Sequence, residues 1–149
     1  MEILRKSLKK ENVETALEGE TREEVYAELL TLLENAKEIE NKNSILKSII
    51  KKDEVIDSYM GKGVVIVRLH IDTQKTISIA MGVKKEGLDE EVFDKEKLRI
   101  FVIIITPEPG REEYINLVSE TSSLLNQGSI REDILDAKDK ERIIKVLLE

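Results

Sequence analysis

The sequence of 149 residues has no cysteine and no tryptophan, and it has only two prolines and one histidine. The absence of cysteine excludes thiol nucleophiles, disulfides and thiolate metal sites. Because His70 is the only imidazole, metal centres built on several histidines are excluded too. No apolar run is long enough to cross a bilayer, and the first residues lack the apolar core of a signal peptide. We therefore expect a cytoplasmic protein with no metal, no cofactor and no direct membrane insertion.

Positive charge is in short supply, with 24 Lys and Arg against 31 Asp and Glu and a net charge of −7. A nucleic-acid backbone is bound by a basic face, so this balance argues against nucleic acid as the main partner. The acidic residues 89–91 lack the spacing of an EF-hand, and we interpret them as part of a solvated loop. The length fits a single domain, residues 1–149, with a core of its own.

Helices are predicted in the first third of the chain. Thr21 and Glu24 match a capping box, and the apolar spacing that follows predicts a helix over residues 22–37. A second helix is predicted over residues 43–51. Residues 1–18 are weakly amphipathic, which fits either a short edge strand or a docking segment.

β-Branched residues dominate the middle of the chain. Residues 64–71 and 76–81 predict two neighbouring strands joined by a turn. Residues 98–106 are almost wholly apolar, which predicts a strand buried on both faces. The acidic stretch at residues 86–96 is predicted to be a mobile loop.

The last part of the chain is predicted to be helical. Pro107 ends the apolar strand, and a helix follows over residues 111–126 with Gly128 as its expected C-cap. Two short helices are predicted over residues 130–137 and 140–148. Helices on both sides of a few strands predict an α/β fold, a small mixed β-sheet flanked by helices.

Residues able to do chemistry cluster around the predicted strand after Gly61-Lys62-Gly63, a turn that lacks the ending of a P-loop. His70 is the first candidate for a phosphoryl-accepting nucleophile, and it fits a half-exposed surface residue equally well. Arg68 lies two residues earlier, on the same strand face and about 6–7 Å away. It either binds a phosphate or carboxylate, or it pairs with a neighbouring acidic side chain.

A series of features, taken in order along nearly the whole chain, resembles one known family. These features are the helix after Thr21, the pair Lys52-Asp53, the strand entry Gly61-x-Gly63, the strand ending Ile105-Thr106-Pro107, Leu117, and Leu124-Leu125. The family is the EIIA domain, type 2, of the bacterial phosphoenolpyruvate-dependent phosphotransferase system. It includes fructose, mannitol and nitrogen-regulatory members, and the resemblance implies its fold.

In that family a histidine preceded by proline accepts the phosphoryl group. An ungapped match puts Val67 at the proline position and Arg68 at the histidine position, while a second family histidine corresponds to a place near Glu113. The pair Lys52-Asp53 stands where the family often has Arg-Glu. The resemblance therefore implies a retained scaffold from which both histidines are missing, with Arg68, Lys52, Lys62 and Glu113 as residues that bind an anion or a partner.

Three functions are open at this point. The first, which we favour, is a regulatory EIIA-like domain that binds a transporter, kinase or regulator through the face around Arg68. The second is an active phosphocarrier, a component of a phosphohistidine phosphotransferase in sugar transport. There His70 would accept phosphate from an HPr-like donor and pass it to a sugar permease component. The third is a small-anion sensor that uses Arg68 and Lys52.

Overall fold

The centre of the molecule is a mixed β-sheet, seen in a computed structural model that describes residues 2–149. Its strands are β1 (Val13–Glu14), β2 (Tyr59–Gly61), β3 (Val64–His70), β4 (Ser78–Leu88) and β5 (Leu98–Thr106). Their order across the sheet is β1-β4-β5-β3-β2. The central strand β5 is parallel to β3 and antiparallel to β4. The predicted mixed sheet is confirmed, with an added short strand at each edge.

Helices cover both faces of this sheet. They are α1 (Glu2–Ser7), α2 (Arg22–Asn35), α3 (Lys42–Val55), α4 (Glu112–Leu125), α5 (Gly128–Asp136) and α6 (Lys140–Leu148), with a 3₁₀ turn at Lys10–Asn12. One apolar core lies between the sheet and α2 and α3, and the other lies between the sheet and α1, α4, α5 and α6. None of the helices in residues 2–149 has the length and apolar character that crossing a bilayer requires.

Successive side chains of β3 alternate between the two faces of the sheet, which determines the face on which its polar side chains lie. Val65, Val67 and Leu69 belong to the core under α2 and α3, whereas Val64 and Ile66 belong to the opposite core. Arg68 and His70 continue the second row, and both are exposed. The sequence pattern thus places two polar side chains at the end of an otherwise apolar row.

Thr21 begins α2 as predicted. Its hydroxyl oxygen accepts a hydrogen bond from the Glu24 N–H at 3.2 Å. In a capping box the Glu24 carboxylate would accept a hydrogen bond from the N–H of Thr21. Here it accepts one from the N–H of the preceding residue, Glu20, at 2.9 Å.

Several predicted boundaries are wrong. Residues 1–18 contain a helix, α1, as well as the edge strand β1, and α3 extends to Val55 rather than ending at Lys51. Strand β4 begins at Ser78 and continues to Leu88, so it includes the first residues of the predicted loop. Gly128 does not cap α4. The chain passes through Asn126 and an extended Gln127 without a left-handed residue, and Gly128 begins α5.

The remainder of the predicted acidic loop is tied to the turn between β2 and β3. The carboxylate of Asp94 accepts hydrogen bonds from the Tyr59 hydroxyl at 2.7 Å and the Lys62 N–H at 2.8 Å. The acidic run also makes ion pairs, since Glu90 contacts Arg22 and Asp89 contacts Lys97. These contacts give the acidic residues a structural role.

Candidate functional site around Arg68

Strand β3 fixes the relative positions of Arg68 and His70. Every residue from Val64 to His70 pairs with one residue of β5, so Arg68 lies opposite Ile104 and His70 lies opposite Thr106. No bulge interrupts this pairing. His70 therefore stays one ladder step beyond Arg68, about 6–7 Å along the strand, and does not take its place.

Lys52 meets Arg68 at the open side of β3. The N–H of Ile66 donates to the carbonyl of Ser58 at 3.0 Å, but β2 offers no partner to the Arg68 carbonyl two residues further on. The ammonium of Lys52, in the last turn of α3, donates a hydrogen bond to that carbonyl. A main-chain acceptor without a strand partner is thus satisfied by a cation.

The charges around Lys52 favour an incoming anion. Burial lowers the pKa of Lys52, the positive charge of Arg68 lowers it further, and Asp53 acts in the opposite direction. In residues 2–149 the guanidinium of Arg68 forms no ion pair, so the predicted alternative of an acidic partner for Arg68 is wrong within this range. Lys52 and Arg68 lie within electrostatic reach of each other and neither forms an ion pair in residues 2–149, an arrangement that suits a carboxylate or a phosphate.

Tyr114 of α4 lies within electrostatic reach of Arg68. Burial raises the pKa of its phenol, and the positive charge of Arg68 acts to lower it. Guanidinium and ammonium groups are both hydrogen-bond donors. Arg68 and Lys52 can therefore bind an oxyanion beside β3.

His70 is held by contacts of its own. Its Nε2 lies 3.0 Å from the carbonyl oxygen of Pro107 and 2.8 Å from Oδ1 of Asp72. Both partners are acceptors, so Nε2 carries the proton and Nδ1 keeps its lone pair in the neutral ring. The side chain is 44% exposed, and Nδ1 is the ring nitrogen that these two contacts do not use.

The other two predicted residues lie apart from this group. Lys62 precedes β3 at the opposite end of the strand, where its Nζ lies 3.3 Å from Oδ1 of Asn126. The structure therefore does not bring Lys62 to Lys52 and Arg68. Glu113, the second residue of α4, is exposed beside Tyr114.

Asp53 is a residue whose role the sequence did not reveal. Its Oδ2 accepts a hydrogen bond from the Tyr26 hydroxyl at 2.5 Å, and its Oδ1 accepts one from the Ser58 hydroxyl at 2.5 Å. Burial and the carboxylate of Asp53 both raise the pKa of Tyr26. These bonds fix the end of α3 and with it the position of Lys52.

Arg22 joins this network from the first turn of α2. Its guanidinium lies 2.7 Å from Asp57, 2.6 Å from Glu90 and 3.5 Å from Asp53, and only 14% of its side chain is exposed. Burial acts to lower the pKa of Arg22, but the hydrogen bonds to Glu90 and Asp57 raise it above its usual value. A cation in the first turn of a helix is unfavourable because of the helix dipole. The position of Arg22 in the first turn of α2 was therefore the one sequence signal that this arginine has a particular structural role.

Comparisons with known proteins show the family to which the chain belongs. Residues 6–149 match the family described as the phosphoenolpyruvate-dependent sugar phosphotransferase system, EIIA 2. The fructose-specific EIIABC component of Bacillus subtilis is 25% identical over 142 residues, which are 94% of this chain and 22% of that protein. The fructose-specific EIIA component of Haloferax volcanii is 24% identical over 129 residues, which are 87% of this chain and 84% of that protein.

The fold also matches a solved structure. Nitrogen regulatory protein IIA-Ntr from Neisseria meningitidis superposes with a TM-score of 0.86 at 18% identity, covering 97% of this chain and 99% of that one. This likeness confirms the fold expected from the sequence. With a family match over nearly its entire length, the chain belongs to the EIIA type 2 family of the phosphoenolpyruvate-dependent sugar phosphotransferase system.

Proposed function

We propose that this EIIA domain is regulatory, that it carries no phosphoryl group, and that it binds an anionic group of a protein partner at Arg68 and Lys52. The observation that carries the proposal is an arginine without an acidic partner in residues 2–149, at the position where the family resemblance expects the phosphoryl-accepting histidine. A protonated guanidinium has no lone pair with which to attack phosphorus. It is instead well suited to hold a phosphate or a carboxylate by two parallel hydrogen bonds.

Exposed apolar side chains beside the cations support a protein partner over a free small anion. Val55 and Ile56 are 83% and 62% exposed. Val55 follows Lys52 by three residues, which places both on the same side of α3, and Ile56 is the extended residue directly after the helix. Ile115, next to Tyr114, is 54% exposed. A partner surface with a carboxylate or phosphate among apolar residues would bury these side chains.

The proposal retains the other expectations from the sequence. We treat residues 1–149 as a single domain in the cytoplasm, and we propose a transporter, a kinase or a regulator as its partner. A small-anion sensor would use the same cations but would leave Val55 and Ile56 exposed, so we place it behind the protein partner.

A phosphocarrier that uses His70 is the second candidate. Asp72 orients the ring, and Nδ1 is available to attack phosphorus while the bond from phosphorus to the donor nitrogen breaks. The unbroken register of β3, however, keeps His70 a full ladder step from Arg68. Phosphoryl transfer depends on in-line positioning, so a displacement of this size favours the regulatory function.

A transfer assay tests the proposal. The protein is incubated with phosphoenolpyruvate, enzyme I and HPr, and its intact mass is measured at alkaline pH, where phosphohistidine persists. A known active EIIA protein in the same reaction shows that the donors work. We expect no added phosphoryl group. One added group that His70→Ala abolishes would establish the carrier instead, and one that survives in His70→Ala would contradict both functions.

A further inference from the structure

A second cluster of cations lines a cleft at the opposite end of β3. The cleft has a volume of about 300 Å³ and lies between the turn before β3, the start of β5 and the start of α5. Its charged lining residues are Lys62, Arg99, Arg131, Lys97, Glu96 and Glu132. We propose that this cleft binds the phosphate group of a small molecule.

Three of the cations are held in place by neutral oxygens. The contacts are Lys62 Nζ to Asn126 Oδ1 at 3.3 Å, Arg99 Nε to the Lys85 carbonyl at 3.1 Å, and Arg131 Nη1 to the Leu125 carbonyl at 3.0 Å. None of the three forms an ion pair in residues 2–149. Each side chain is thus positioned while it keeps its positive charge and further N–H donors for a ligand.

Arg131 places its charge at the start of its own helix. A Cβ built on Gly128, the first residue of α5, would lie 3.5 Å from Nη2 of Arg131, so the guanidinium lies over the first turn. The preceding residue, Gln127, offers no side-chain hydrogen bond to that turn. A cation beside the positive end of a helix is unfavourable alone, and a bound phosphate would relieve this repulsion.

The turn before β3 holds Lys62 in an uncommon conformation. Its φ of 56° lies between Gly61 at 93° and Gly63 at 79°. Glycine or asparagine usually takes such a position, whereas a long cation there has a conformational cost. Asp94 accepts the Lys62 N–H at 2.8 Å and stabilises the turn. The turn thus fixes the main chain from which the Lys62 side chain reaches the cleft.

Two carboxylates limit the charge that the cleft can accept. Glu96 and Glu132 line it, and Lys97 is neutralised by Asp89 at 3.1 Å. Three cations therefore face two carboxylates, so the excess positive charge is small. This balance suits one phosphate group rather than a polyanion, and the volume suits a small ligand.

Titration with inorganic phosphate and with glycerol phosphate, followed by amide resonances of the isotope-labelled protein, tests the proposal. We expect saturable shifts at Gly128 and Ser129, because their N–H groups lie at the start of α5. Arg131→Gln, Arg99→Gln and Lys62→Gln should each weaken binding about tenfold. Glu132→Gln should strengthen it, since a repelling charge is removed. Lys47→Gln is the matched control, because this exposed lysine of α3 does not line the cleft, and it should leave the affinity unchanged.

The opposite results would overturn the proposal. Shifts that do not saturate, or that are the same in the wild type and in all three cation variants, would show that the cleft is not a phosphate site. A phosphoserine peptide that binds more tightly than both small phosphates would assign the cleft to a protein partner. Thermal unfolding of each variant separates lost binding from lost folding. Lys62→Gln is the key variant, because it changes no contact to the main chain.

Discussion

The ammonium of Lys52 donates its hydrogen bond to the main-chain carbonyl of Arg68, although the two side chains carry charges of the same sign. The contact holds a helix end on one face of the sheet against a strand whose polar side chains point to the other face. Repulsion from Arg68 contributes to the lowered pKa of Lys52. The fold thus holds two cations close together against their mutual repulsion, which is characteristic of a binding site.

The effects of replacing Arg22 and Arg68 on stability should differ, because we assign Arg22 to the structure and Arg68 to binding. Arg22→Gln removes a buried guanidinium with three carboxylate partners and should lower the free energy of unfolding by about 3 kcal/mol. Arg68→Gln removes no ion pair within residues 2–149 and should change it by less than about 0.5 kcal/mol. Urea denaturation measures both. An equal loss in the two variants would contradict the assignment of Arg68 to binding.

Loss of Arg22 should also be visible at Asp57. Burial acts to raise the pKa of Asp57, but the hydrogen bonds from Arg22 and the Tyr59 N–H lower it below 3.8. Asp57 therefore contributes stability at neutral pH that is lost as the pH falls through the lowered value. In Arg22→Gln we expect the pKa of Asp57 to rise, measured by its carboxyl resonance. An unchanged value would contradict the ion pair.

Removal of the phenol hydroxyl should destabilise the protein more at Tyr26, which donates a hydrogen bond to Asp53, than at Tyr114. Tyr26→Phe removes the donor to a carboxylate and should cost about 2 kcal/mol of unfolding free energy. Tyr114→Phe is the matched control, since burial and Arg68 act on this phenol without a hydrogen bond to a carboxylate. We expect its unfolding free energy to remain near that of the wild type. Thermal unfolding provides the comparison, and equal effects would exclude a special role for Asp53.

Tyrosine ionisation predicts how stability changes in alkali. Burial, aided by Asp94 and opposed by the Gly63 N–H, raises the pKa of Tyr59 from 10.0 to about 12. The pKa values of Tyr26 and Tyr114 are raised as well. Because the unfolded chain releases these protons first, stability is complete below pH 10 and is lost as the pH rises towards 12. Difference spectroscopy should show less phenolate at pH 10 in the folded protein than in the unfolded chain. Equal ionisation in the two states would contradict the raised pKa values.

Two glycines should respond differently to alanine. Gly63 has a φ of 79°, and a Cβ there would lie 2.6 Å from the Lys97 carbonyl oxygen. Gly63→Ala should therefore cost about 3 kcal/mol, from the strained backbone and the steric clash. Gly110→Ala meets no atom within 4 Å and should be neutral or slightly stabilising. Unfolding midpoints test this, and a tolerated Gly63→Ala would show that the turn is adaptable.

The sheet was predictable because its strands carry strong local signals. Residues 100–105 are continuously apolar and buried, and the β-branched run after Gly63 forms β3. The short strand β2 was missed, and β1 was predicted only as one alternative for residues 1–18, because two or three residues have no recognisable period. Gly128 was assigned to the wrong helix because a glycine between helices can end the first or begin the second.

The site was predictable only in part. Local sequence placed Arg68 and His70 on one face of a strand, and the family resemblance added Lys52. The predicted strand already placed Lys62 before its start and Arg68 near its end, about 20 Å apart at about 3.3 Å per residue, so the grouping of Lys62 with Arg68 was an error of interpretation. The contacts of Arg22 with Asp53, Asp57 and Glu90 span up to 68 positions and carry no sequence signature.

Phosphoryl transfer to the wild-type chain and to Arg68→His, measured side by side as added intact mass with the same donors, tests the central claim most directly. If Arg68 occupies the place of the acceptor, the wild type should gain no phosphoryl group. Arg68→His, which restores an imidazole beside Lys52, should gain one. A wild-type chain that gains one phosphoryl group would contradict the account, because the arginine would then not have silenced the domain.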